Sequence, residues 1–142
     1  MKVYVGGKWQ DKVRVRAVMD VLRAHGHTIT HDWTHEDPKT PYYDVPITDI
    51  RAIERADCIV LALVEDLGYT GSWVEMGAAL AYGRPVYIIY GDWLYRQFGH
   101  SDDPTAWRNV FLWHPLVQHF SRFPDHRATS AVLYSLSQET KA

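Results

Sequence analysis

The chain has 142 residues, enough for one domain with a sizeable core, and its 46% hydrophobic and 23% charged residues are ordinary globular composition. A formal net charge of -2, from 15 basic and 17 acidic residues, leaves no cationic footprint for a nucleic-acid backbone or an anionic membrane, so small molecules are the expected partners. The longest apolar run, residues 58–64, falls far short of the roughly 20 residues that span a bilayer, and residues 1–5 read as a strand rather than a secretory leader. The cytoplasm is the expected compartment.

Residues 2–6 read as a short strand, and residues 11–24 carry Val13, Val15, Val18, Val21 and Leu22 at spacings that suit a helix packed on a sheet, with Gly26 as its stop. Residues 27–33 are rich in β-formers and read as a second strand. A polar loop follows over 34–44, with two prolines, long enough to cover a site. Residues 47–56 give a short helix with Ile50 and Ile53 inward, 57–64 a fully buried strand, 72–82 another helix and 85–90 another strand. Beyond Gly91 the chain is irregular, with a strand expected around 110–113 and a closing helix over 128–138. The lone cysteine, Cys58, lies in a buried strand, excludes an intramolecular disulfide and reads as a packed thiol.

Apolar strands alternating with helices imply a parallel sheet covered on both faces. The expected fold is α/β, a flavodoxin-like three-layer sandwich with about five parallel strands, forming one domain over residues 1–142. Ligands of such sheets bind beyond the carboxyl ends of the strands, which directs attention to residues 6–9, 32–37, 65–72 and Gly91 onward.

The segment 69–86 is the most informative. Ser72-Trp-Val-Glu75 matches a capping box, in which serine and glutamate satisfy orphan amides at a helix start. Glu75 is therefore either a cap or a nucleophile. Gly71 and Gly77, which allow close backbone approach, the small residues Ala78, Ala79 and Ala81, and a helix N-terminus that stabilises an ionised carboxylate support the second reading. Asp49, beside Thr48, has the same two readings, a helix-dipole partner or a working acid. Gly6 and Gly7 end the first strand and admit a ligand to the backbone, without the spacing of a P-loop or dinucleotide fingerprint. Trp9 and Trp33 lie at strand ends where a base can stack, and Asp32 lies on the same rim. His31 and His35 are four apart with Glu36 adjacent, but a strand-to-loop context does not hold them on one helical face, so no metal site is expected.

Together these pieces resemble the nucleoside 2-deoxyribosyltransferase family, with its relatives the 2'-deoxynucleoside 5'-phosphate N-hydrolases and CMP N-glycosidases, over roughly residues 2–90. The family's tyrosine and glycine-rich turn after the first strand is matched by Tyr4, Gly6, Gly7 and Trp9, and its aspartate before an Ala-Asp strand by Asp49 with Ala56-Asp57. Its helix signature Ser-Gly-Thr-x-x-Glu-x-Gly-x-Ala is matched by Thr70-Gly-Ser-Trp-Val-Glu-Met-Gly-Ala-Ala79. The resemblance implies Glu75 as nucleophile, Asp49 as the acid near the base and Tyr4 as the group orienting Glu75, with Gly71 and Ser72 beside the substrate and no cofactor. It also implies a homodimer or higher homo-oligomer in which a neighbouring subunit completes the pocket, with 91–109, including Asn109, as the contributing segment. Where the family carries an aspartate or serine for the 5' end of the sugar, this chain has Tyr69.

The implied chemistry is cleavage of the N-glycosidic bond of a nucleoside or nucleotide. A carboxylate below the anomeric carbon meets the positive charge that builds there, and an acid protonates the departing base. Interception by a free base makes a transferase, and interception by water makes a hydrolase. A TIR-like module that cleaves or senses NAD is the alternative on a related sheet. A phosphoacceptor receiver lacks its acids at the first strand, and a flavodoxin-type carrier lacks its hydroxyl-rich phosphate loop.

Overall fold

The computed structural model describes residues 1–37, 39–41, 43–65, 67–95, 110–121 and 126–139. Five strands, β1 (Lys2–Gly6), β2 (Thr28–Ile29), β3 (Cys58–Leu63), β4 (Val86–Tyr90) and β5 (Val117–Ser121), form one sheet in the order β2-β1-β3-β4-β5. Every neighbouring pair is parallel, with Tyr4 opposite Ile59, Leu61 opposite Ile88 and Ile88 opposite His119 fixing the register. This is the expected flavodoxin-like α/β architecture. The helices are α1 (Lys12–Ala24), α2 (Asp44–Glu54), α3 (Thr70–Ala81), the short α4 (Asp92–Tyr95) and α5 (His126–Glu139). Helix α1 packs beside α5 and α2 packs beside α3. All six residues of β3 and all five of β4 are buried, as strands covered on both faces must be.

Four boundaries differ from the sequence expectation, each for a local reason. Strand β2 is only two residues long, because the pairing with β1 stops at Ile29 and the chain turns at Asp32. There Asp32 accepts from the Thr34 amide at 3.2 Å and a 3-10 turn, Trp33–His35, begins. Helix α2 starts at Asp44 rather than at residue 47, with Pro46 in its first turn, where a missing N–H removes no intrahelical bond. Helix α3 starts at Thr70, with Tyr69 at the N-cap and no capping side chain, so Ser72 and Glu75 lie inside the helix and form no capping box. The residues expected as a strand near 110–113 form a 3-10 turn, Val110–Trp113, and the fifth strand follows at Val117–Ser121.

The glycine expectations shift as well. A Cβ on Gly71 or Gly77 would meet nothing within 4 Å, so neither is required by close packing within the chain. Gly6 is, since its Cβ would collide with the Glu75 carboxylate and lie 2.7 Å from Leu61 Cδ2. Among the described residues no helix is long and apolar enough to cross a membrane.

Candidate active site

The sheet order reverses direction between β1 and β3, and in sheets of this order ligands bind at that switch point. Tyr4 stands in the middle of β1, fully buried, and donates its hydroxyl to Glu75 Oε1 at 2.8 Å. The glycine at position 6 leaves the room that the carboxylate occupies. Because α2 and α3 begin earlier than their sequences imply, Asp49 and Glu75 each lie well within a helix, past the first turn, and the two helices pack side by side. The dipole and cap explanations for both acids therefore fall away.

Both acids line each of two adjoining hollows. One, of about 230 Å³, is completed by Pro46, Ile50, Gly71 and Val74. The other, of about 180 Å³, is completed by Tyr4, Gly7, Trp9, Trp33, Glu36 and Val45. The carboxyls thus sit between an aliphatic wall and an aromatic one. Trp33 is fixed by its indole N–H, which donates to the Val5 carbonyl at 2.8 Å, and Trp9 lies against it with ring centroids 6.3 Å apart. Lys12 Nζ caps the Trp9 ring at 4.1 Å from its centroid.

Burial dominates the electrostatics. It pushes the Glu75 carboxyl up from its ordinary 4.5 to about 8, with the Tyr4 hydrogen bond pulling down and the charge of Asp49 pushing further up. Asp49 is also raised by burial, opposed by His31 and by Tyr4 and reinforced by Glu36. Tyr4 is held well above the usual phenol range by burial and then by the two acids, so it remains a donor. A carboxylate kept ionised by a helix terminus is therefore not what the structure contains: burial opposes ionisation of Glu75. Each acid keeps one buried oxygen, Asp49 Oδ1 and Glu75 Oε2, without a hydrogen-bond partner.

Three residues singled out from the sequence, Asp32, Tyr69 and Ser72, do not line these two hollows. Asp32 accepts from Thr34 through one oxygen and from Arg23 at 2.5 Å through the other, which makes it a turn anchor. Tyr69 is buried with its ring stacked on Trp93 at 5.5 Å, and burial raises its hydroxyl to about 12. Ser72 is buried beneath α3, its Oγ unpartnered. Asn109 lies outside the described residues, as does the rest of 96–109. His31 and Glu36 were legible only as a possible metal pair with His35. The structure instead brings both of them towards Asp49, Glu36 as a lining residue of the cleft. No group of three or more His, Cys, Asp or Glu side chains suited to a metal ion occurs among the described residues.

Comparison with solved structures gives the same architecture in several proteins. The CMP N-glycosidase BcmB of Clostridium botulinum superposes with a TM-score of 0.63 at 15% identity, over 93% of this chain and 98% of that one. A conserved protein of Enterococcus faecalis V583 gives 0.65 at 17% identity over 98% of both chains. A 2-deoxyribosyltransferase of Bacillus psychrosaccharolyticus gives 0.51 at 24% identity, over 63% of this chain and 72% of that one. At these identities the likeness establishes the fold alone. No curated protein matches the chain by sequence. The family model described as nucleoside 2-deoxyribosyltransferase matches residues 3–105, which span β1 through α4 and contain Tyr4, Asp49 and Glu75. The chain therefore belongs to the nucleoside 2-deoxyribosyltransferase family, whose members are enzymes acting on nucleosides or nucleotides.

Proposed function

We propose that the protein cleaves the N-glycosidic bond of a 2'-deoxynucleoside or its nucleotide and transfers the sugar to a second base. Glu75 is the nucleophile, Asp49 the acid that protonates the departing base, and Tyr4 the residue that aims Glu75. The observation that carries this reading is the convergence of two part-buried carboxyls from facing helices on one cleft, with Glu75 tied to β1 by the 2.8 Å bond from Tyr4. A raised pKa suits both roles. Asp49 holds a proton more readily than a free aspartate, and Glu75 is a more basic nucleophile once a cationic sugar draws it into the carboxylate form. Trp9 and Trp33 provide the surface on which the base stacks, and Gly71 and Val74 face the sugar.

Hydrolysis is the second reading, because water can intercept the same glycosyl intermediate. The superposition on a CMP N-glycosidase over nearly the whole of both chains keeps it in view. Incubation with a deoxynucleoside and a different free base, followed by separation of the products, distinguishes the two: a new nucleoside means transfer, and free deoxyribose means hydrolysis. NAD is included as a third substrate to test the TIR-like alternative. Glu75→Gln must be inactive with the fold intact, and undiminished turnover in that variant would remove Glu75 from the mechanism.

A further inference from the structure

The turn that follows β2 carries a group that the proposed mechanism leaves unused. His31, about one-fifth exposed, places a single ring nitrogen, Nε2, 2.7 Å from Glu36 Oε1 and 3.9 Å from Asp49 Oδ1. That Asp49 oxygen is buried and has no hydrogen-bond partner. His35, the other half of the motif, is 64% exposed and faces Asp32 instead, so the two histidines do different things. Among the described residues the groups that face Asp49 are Tyr4 from β1, Glu75 from α3, and His31 with Glu36 from the turn; of these only His31 can carry positive charge.

We propose that His31 is a positioning residue for Asp49: anchored by Glu36, its ring in the protonated form favours release of the Asp49 proton and stabilises the carboxylate that results. This rests on the reading of Asp49 as the acid. In the cleavage step the Asp49 O–H bond breaks and an N–H bond forms on the departing base, which keeps the electron pair of the glycosidic C–N bond. His31 neither gains nor loses a proton. Its contribution, in the protonated form, is a charge 3.9 Å from the oxygen on which negative charge is left behind. Glu36 has two effects, holding the ring in place and opposing ionisation of Asp49. The trio therefore tunes one acid through a fixed charge, without entering the bond changes.

The test separates Asp49 from its coupling to Glu75. In a Glu75→Gln background, the side-chain carboxyl carbon of Asp49 is titrated by carbon-detected NMR, assigned by its loss in Asp49→Asn. Adding His31→Gln, which keeps a hydrogen-bonding amide but no charge, raises the Asp49 midpoint by about one pH unit. His31→Lys, which keeps a cation, leaves it near the starting value, and His31→Asn substitutes if the glutamine variant does not fold. With Glu75 restored, His31→Gln lowers kcat for base release about three- to ten-fold and leaves KM within about two-fold. An Asp49 midpoint that stays put or falls in His31→Gln overturns the proposal. If the midpoint rises but Asp49→Asn cleaves deoxynucleosides as fast as the parent, the acid assignment of Asp49 fails, and with it the part given to His31.

Discussion

Replacing Glu75 with glutamine gives a test of the buried acid that does not depend on knowing the substrate. The amide has the same shape, and its oxygen can keep the hydrogen bond that Tyr4 donates at 2.8 Å. What it removes is a titration. Glu75 moves from about 4.5 to about 8 on folding, so between those values the folded chain binds a proton that the unfolded chain has released. Stability from this group is full below about pH 4.5, falls as pH rises, and is gone above about pH 8. At about 1.4 kcal/mol per pH unit, the wild-type chain loses on the order of 3 kcal/mol by pH 7 and on the order of 5 kcal/mol by pH 9, relative to pH 4. Glu75→Gln carries no such loss. Urea unfolding followed by circular dichroism at pH 5, 7 and 9 is expected to show the variant near parity at pH 5 and increasingly more stable than wild type at pH 7 and 9. A difference between the two proteins that does not change with pH would refute the claim that the fold buries this acid at a cost.

Tyr4→Phe removes the donor that lowers the Glu75 pKa, so the rising limb of the pH–rate profile, set by ionisation of Glu75, moves to higher pH and kcat falls; stopped assays across pH 6–10 check the direction. Gly6→Ala drives a methyl group into the Glu75 carboxylate, and because a displacement of about 1 Å in a reacting group can cost a hundredfold, base release is expected to fall about that much, with a destabilisation of about 1–3 kcal/mol by thermal unfolding. Trp9→Ala removes a stacking surface that is 40% exposed, so KM for the nucleoside rises about ten-fold while kcat and Tm change little; equal losses in kcat and in kcat/KM would place Trp9 outside ground-state binding.

The sheet was readable because β3 and β4 are unbroken apolar runs between helices, a pattern that only a strand buried on both faces requires. Tyr4, Asp49 and Glu75 were readable as a set because each matched a family position. The helix starts were not. Ser72 and Glu75 mimic a capping box, whereas the true N-cap is Tyr69, whose side chain caps nothing. That misplacement by a few residues reversed the electrostatic expectation for Glu75, from an ionised group at a helix end to a buried acid. The fifth strand was missed because its sequence, Val-Gln-His-Phe-Ser, is more polar than the Val-Phe-Leu-Trp turn before it. The approach of His31 to Asp49 depends on a turn bringing the end of β2 against α2, which no local spacing encodes.

The bond from Tyr4 to Glu75 spans 71 positions of sequence and joins the first strand to the third helix. It makes the aim of Glu75 a property of how rigid pieces are stacked, much as two beams pinned to one plate keep their separation whatever the trim around them. The spacing of the two acids is thus held by the packing of α2 and α3 rather than by the loops at the sheet edge.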